Sequence, residues 1–414
     1  MSIFPGAVGF FRKLHELHRG ERKGEGNEGM AKRLTGLLRI AGATILAHAA
    51  AGAQVAPPMS TISPPASPRP QMRGDGPPPA ATRFSITIAD PALEAIIAPD
   101  AQPVELARGF GLNEGPSWFP DGEGGFVLVS GLLDNVIYKV TPDKQVSVFL
   151  DYAGYTGDDP EHVGAQTRSG RSHVLLIGPS CTGRDAEGRL IWCADNDRML
   201  MRLEPDGRRT ILSAGYDGKR FSGPNDIAIA HDGAIYLTDN GFGLRDYQTN
   251  PDRQMPDGVY RIKDGVTTKL LDAAVLGGIP NGIALSPDDR YLYLSAGFDL
   301  IKRYPVKPDG TLGEGTMFTR GVGIGDGMKT DLAGNLYSTS GGGPGIVRVT
   351  SPSGRLLGTI NLPVYGGEPK RQVCATNVAF GGIDGKSLFI AACDALFEVR
   401  LKTPGIAPQT DERR

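Results

Sequence analysis

Residues 231–239 read HDGAIYLTD: a polar turn closed by glycine, then a short apolar strand ending on Thr238 and Asp239. The same design recurs at 121–130 (DGEGGFVLVS), 185–193 (DAEGRLIWC), 288–296 (DDRYLYLSA), 332–340 (LAGNLYSTS) and 384–393 (DGKSLFIAAC). A second strand follows each copy, at 136–142, 200–205, 259–263, 301–305, 346–352 and 396–401. Short alternating runs bounded by Gly and Asp turns read as β-strands. No amphipathic helix stands out after residue 104. Residues 103–402, shared among six copies, give roughly 50 residues each, the length of a four-stranded blade with its loops. The expected fold is all-β: a six-bladed β-propeller, with the N-terminal strand at 103–109 closing the ring by joining the last blade. Closure would remove the exposed edges of an open sheet of this size. A β-sandwich has similar turn content but does not repeat in this register.

The rest of the composition agrees and excludes other classes. The 414 residues include 58 glycines and 32 prolines, a turn-rich chain. Lys and Arg number 44 against 46 Asp and Glu, for a net charge of -2, so there is no basic footprint for nucleic acid. Hydrophobic residues make up 40%, enough for a large core, which excludes wholesale disorder.

The first hundred residues suggest export. Lys32 and Arg33 precede a stretch, 34–53, that is apolar apart from Thr35, Arg39, Thr44 and His48 and carries two small-x-small cleavage candidates, at 47–49 and 51–53. That is the layout of a secretory signal, and the run is too short and too rich in Ala and Gly for a membrane span. Residues 1–53 are therefore expected to be a signal peptide. Residues 1–29 are either a long n-region or lie upstream of the true start, and the second is favoured. The Pro/Ala/Ser-rich segment 54–82 is expected to be a disordered linker, and 403–414 a disordered tail. The mature protein is then acidic, periplasmic or secreted, and free of the membrane once the signal is removed. Nothing in the sequence fixes its oligomeric state.

One residue in each of five copies stands just before the first strand, where a blade begins at the central channel: Glu114, Asn225, Asn281, Asp326 and Asn377. Spaced by about one or two blades, these side chains are expected to converge on one ring at one mouth. Asn and Asp at blade entries can simply make Asx turns. As a set, two carboxylates and several amide oxygens form a hard oxygen site suited to one divalent cation, foremost Ca²⁺, with Mg²⁺, Mn²⁺ or Zn²⁺ as alternatives.

The stretches NEGPSW at 113–118, EPDGRRTIL at 204–212, GYDGKRFSGPNDIAIAHDGAIYLTD at 215–239, PNGIALSPDDRYLY at 280–293, DGMKTDLAGNLY at 326–337 and TNVAFGG at 376–382 resemble the family of gluconolactonases, regucalcin (senescence marker protein) and luciferin-regenerating enzyme. The resemblance covers nearly all of 104–402. It implies a six-bladed propeller with one divalent cation held by Glu114, Asn281 and Asp326, with Asn225 beside it holding substrate. It also implies hydrolysis of a lactone, often a sugar lactone. The chemistry expected is a metal-activated water, with Asp326 as the base that takes its proton. The partner is then a small polar lactone.

Three departures surround the expected mouth. Relatives often read Cys-Glu-His, Asn-Ser and Pro-Pro-Tyr-Gly where this chain has Cys193-Ala194-Asp195, Ser222-Gly223 and Asn240-Gly241-Phe242-Gly243, which puts gluconolactone itself in doubt as the substrate. An extra stretch at 152–172 is a candidate lid over the mouth or a solvated loop. None of the six histidines falls on the ring, so a Ser-His-Asp triad has nothing to stand on. The alternative function is a non-catalytic, calcium-stabilised propeller that binds a ligand or protein at its channel mouth. A quinone-bearing redox propeller is weaker, because the chain has only Trp118 and Trp192. Finally, Cys181 and Cys193 lie symmetrically about one hairpin turn and Cys374 and Cys393 flank another, which makes two disulfides geometrically open to an exported protein. Four small buried thiols are the other reading.

Overall fold

The computed structural model describes residues 81–122, 124–163, 165–169, 172–246, 249–341, 345–364 and 374–406. The expected signal peptide and all but the last two residues of the expected linker lie outside that range. Within it the chain is all-β, with two helices of four residues, Pro160–Val163 and Ala273–Leu276, and two short 3₁₀ turns. Every strand pairing is antiparallel, as hairpin connections of this length require.

The strands form a propeller-like arrangement. One four-stranded sheet is built from Thr182–Arg184, Leu190–Ala194, Met199–Leu203 and Arg209–Ser213. A second runs from Pro224–Ile229 through Ile235–Asp239 and Gly258–Lys263 to Val266–Asp272. The other two main sheets have eight and six strands, so the ladders do not separate into six independent four-stranded sheets as expected. The cause is two long strands that leave one sheet and enter the next. Thr316–Thr330 pairs through Arg320 with Leu300 and through Met328 with Ser338. Pro103–Asp121 pairs through Pro103 with Val399 and through Trp118 with Val127.

Side-chain alternation explains the packing. Middle strands are sandwiched by the sheets on both faces, and all five residues of Leu190–Ala194 and of Ile235–Asp239 are buried. Hydrophobic clusters join each stretch of the chain to the following one. Leu128 and Ile137 pack with Trp192 and Met201, Ile191 and Leu200 with Ile227 and Leu237, and Tyr236 and Val259 with Ile283 and Leu292. Further along, Ala284 and Tyr293 pack with Met328 and Leu336, and Tyr337 and Val347 with Val378 and Leu388. Phe389 and Leu396 then pack back on Val127, Val129 and Tyr138.

Both ends of the folded region reach beyond 103–402. Thr82 bridges to Val364, Ser85–Ile88 forms the outermost strand on Leu356–Asn361, and Leu93, Ile96 and Ile97 are buried in the core with Tyr337 and Val347. Apolar residues in the 93–97 turn thus cover an edge that would otherwise be open. At the other end, the start of the expected tail is held: the Leu332 N–H donates to the Pro404 carbonyl (3.0 Å), and the Gly405 N–H to the Gly385 carbonyl (3.0 Å). Residues 407–414 lie outside the described range.

Candidate functional site

The inner strands carry the candidate residues, and all but the one that begins at Asn377 bear the same defect. Pairing slips by one residue between Glu114 and Ser117, between Pro224 and Ile227, between Pro280 and Ile283, and between Gly325 and Met328. A β-bulge of this kind releases residues from the ladder and re-aims them. Asn225, Asn281 and Asp326 all lie in their bulges; Glu114 sits one residue earlier, on the last paired position, so the register read from the sequence is off by one in that copy.

Glycine explains how the strands crowd together. A Cβ on Gly282 would stand 1.9 Å from the Asp326 carbonyl oxygen, and one on Gly327 1.9 Å from Asn377 Cγ. One on Gly115, whose φ is +46°, would stand 2.5 Å from the Ser180 carbonyl oxygen. Glu114, Asn281 and Asp326 are each followed by a glycine because the neighbouring strand occupies the space of a side chain. In the third copy Asp226 follows instead. Its carboxylate accepts from the Ile227 N–H (2.8 Å) and, across to the next inner strand, from the Ile283 N–H (3.2 Å).

These residues meet. Asp326 is hydrogen-bonded by the Asn281 side chain and the Gly327 N–H. Glu114 accepts from the Gly115 N–H (2.8 Å) and is bonded by Asn377, which also bonds Asp226. Lys329 Nζ lies 3.7 Å from Asp226 Oδ1. Burial pushes the Glu114 carboxyl well above the usual range, and the charges of Asp326 and Asp226 push it further against the Gly115 and Asn377 bonds. Burial, then Asp226, raises Asp326 to about 8. Burial also raises Asp226, with Lys329 opposing. Three carboxylates that repel one another, with one ammonium beside them, leave two negative charges uncompensated when all are ionised.

That donor set fits a hard divalent cation: it is all oxygen, short of positive charge, and half-exposed at Glu114, Asn225, Asn281 and Asp326. Among the described residues no group of three or more His, Cys, Asp or Glu side chains forms a metal cluster; the set here is two carboxylates and an amide. Asn225 is brought to the same mouth. Its side-chain amide has no hydrogen-bond partner among the described residues, while its carbonyl accepts from the Ser180 hydroxyl (2.7 Å). That hydroxyl also lies 2.5 Å from Asp195 Oδ1, a buried carboxyl raised well above its ordinary value first by burial and then by Asp239.

Sequence reasoning missed Asp226, Lys329 and Ser180, and marked Asp195 only as part of a departure near the mouth. Asp226 left a signal as well, an Asn-Asp pair where two other copies have Asn-Gly and Asp-Gly.

Both disulfides brace this mouth. Cys181 is joined to Cys193 (Cα–Cα 5.0 Å), next to Ser180, and Cys374 to Cys393 (Cα–Cα 5.4 Å), three residues before Asn377. The extra stretch at 152–172 contains the Pro160–Val163 helix and the strand Ala165–Ser169, which pairs with Ser172–Leu176. The Arg245 N–H donates to the Val163 carbonyl (3.0 Å), tying it to the loop after Asp239. His231 lies far from the mouth, in a turn, with Nδ1 2.7 Å from Asp289 Oδ2.

Comparison with known proteins adds relatives to this geometry. Residues 112–394 match the family model described as "SMP-30/Gluconolactonase/LRE-like region". A gluconolactonase of Zymomonas mobilis is 32% identical over 335 residues, covering 77% of this chain and 87% of that protein. The solved structure of a gluconolactonase from Xanthomonas campestris is similar with a TM-score of 0.61 at 29% identity, over 80% of this chain and 99% of the other. A calcium-binding regucalcin from Agrobacterium tumefaciens shares the fold, with a TM-score of 0.54 at 18% identity over 79% of this chain and 97% of the other.

Proposed function

Because the chain belongs to the SMP-30/gluconolactonase/LRE-like family, we propose that it is an exported lactonase that hydrolyses a small polar or sugar lactone and depends on one divalent cation, foremost Ca²⁺. The observation that carries this reading is the convergence of Glu114, Asn281 and Asp326 beside Asp226, an all-oxygen set with more negative charge than Lys329 balances.

Glu114, Asn281 and Asp326 would hold the cation. When bound, it polarises the ester carbonyl and makes water more acidic. Asn225, whose side-chain amide has no partner among the described residues, would orient the lactone at the mouth. Asp326, which Asn281 and the Gly327 N–H hold in place, would take a proton from the attacking water. The water oxygen bonds the carbonyl carbon, the ring C–O bond breaks, and the proton passes to the departing alkoxide, leaving a hydroxy acid.

Two further parts belong to this reading. Six blades closed into a ring are supported by the Pro103 to Val399 pairing and by the packing of Phe389 on Val127 and Val129. Each long strand then counts as the outer strand of one blade and the inner strand of the next. Export to the periplasm or beyond is supported by two disulfides, which persist in oxidising compartments.

The test is hydrolysis of a lactone panel with and without chelator. Chelation and Asp326→Ala should each abolish turnover, while Asp326→Asn should keep some cation affinity and lose turnover. Full turnover by Asp326→Asn removes Asp326 as base. Calcium binding without hydrolysis of any lactone favours the binding-module alternative.

A further inference from the structure

The channel does not end at the candidate site. A cavity of about 560 Å³ is lined by the same inner strands two or more residues further along, and by Trp118, Arg184, Ile227, Leu285, Lys329 and Phe380 among others. Glu114, Asn225, Asn281 and Asp326 do not line it. Its rim is made by hairpin turns at the far ends of those strands, including Glu187, Asp232 and Asp289, so it opens at the opposite mouth. The volume is that of a small-molecule pocket.

Charge in this cavity is sorted by depth. Four rim acids have basic partners: Asp185 and Glu187 pair with Arg189 (2.7 and 2.9 Å), Asp232 with Arg261 and Lys263 (both 3.5 Å), and Asp289 with His231, whereas Asp264 has no ion pair among the described residues. Deeper in, the charged lining groups on the inner strands are cations: Arg184, 7% exposed, and Lys329. The Lys329 ammonium donates to the Met328 carbonyl (3.1 Å) and faces Asp226 at 3.7 Å, so its three donors are not all used. Between floor and rim the walls are apolar, with Ile227, Leu285 and Phe380.

We propose that this cavity is a second ligand site, distinct from the site at the other mouth, that takes a small organic monocarboxylate with an apolar body, its carboxylate on Lys329. An apolar wall around a partly buried cation selects an anion that carries its own hydrophobic surface, because inorganic anions lose hydration and gain no apolar contact there. Lys329 also links the two mouths, since a carboxylate bound to it competes with Asp226 for the same ammonium. The inference does not depend on lactonase activity.

Trp118 lies in the cavity wall, stacked on Phe389 with centroids 5.4 Å apart, whereas Trp192 is buried elsewhere with Nε1 bonded to the Ala153 carbonyl. Titration of the chelated full-length protein with hexanoate, followed by tryptophan fluorescence and calorimetry, should give a saturable response with a Kd of about 1 mM. Loss of a charge-assisted bond should weaken binding about tenfold or more, both for the neutral isostere hexanamide on the unaltered protein and for hexanoate on Lys329→Met. Trp118→Phe should remove the optical signal while calorimetry still sees binding. Either no saturation by about 30 mM or equal affinity for hexanamide would overturn the proposal. The hexanamide comparison decides the matter even if Lys329→Met does not fold.

Discussion

Removing divalent cations should make this protein less stable as pH rises, and Asp326 is the residue through which the effect is best tested. In the cation-free fold its carboxyl is raised to about 8, first by burial and then by Asp226. An unfolded chain ionises Asp near 3.9. Because the folded value is the higher one, the folded state keeps a proton that the unfolded state has released. The contribution is full below about pH 4 and is lost as pH rises through about 8. Between pH 5 and pH 8 that is about three pH units at 1.36 kcal/mol each, or roughly 4 kcal/mol. Glu114, Asp226 and Asp239, also raised by burial, act in the same direction. At about 2 °C per kcal/mol for a domain of this size, melting should fall by roughly 8 °C or more.

Chelated protein would be melted at pH 5 and pH 8 and compared with Asp326→Asn, which cannot titrate and should flatten much of the slope. Adding Ca²⁺ at pH 8 to a hundred times its Kd should restore about 2.7 kcal/mol, by binding the ionised folded state. Equal stability of the chelated protein at both pH values would refute the electrostatic account. An unchanged slope in Asp326→Asn would refute the part played by that residue.

Gly282→Ala places a methyl 1.9 Å from the Asp326 carbonyl oxygen, backbone that cannot rotate away, and should cost about 1–3 kcal/mol and most of the activity; Gly124→Ala, with its nearest neighbour at 3.9 Å, should cost almost nothing by thermal melting. Denatured, non-reduced protein from the periplasm should titrate no free thiols, and Cys181→Ser with Cys193→Ser should lose about 2–3 kcal/mol in urea unfolding; four free thiols would contradict both bridges. Small polar lactones should be cleaved much faster than long-chain aryl esters, because the groups that meet Glu114 among the described residues are amides and carboxylates; comparable rates would count against that mouth as the site.

What the sequence determined by itself was whatever repeats locally. Alternation between residues 121 and 401 gave the strands and turns, since side-chain direction in a strand depends only on neighbours along the chain. The blade-entry position picked out Glu114, Asn225, Asn281 and Asp326, and symmetry about a hairpin turn showed which cysteines could pair while leaving free thiols open. The tertiary structure decided what depends on how strands meet. It alone placed Glu114 one residue off the shared bulge register, set Asp226 and Lys329 beside the carboxylates, and buried Leu93, Ile96 and Ile97 against a strand more than 250 residues away. A bulge adds one residue to a ladder without changing the local pattern of apolar and polar residues. Which side chains then face one another is fixed only when several inner strands converge, close enough that Gly282 and Gly327 have no room for a single carbon.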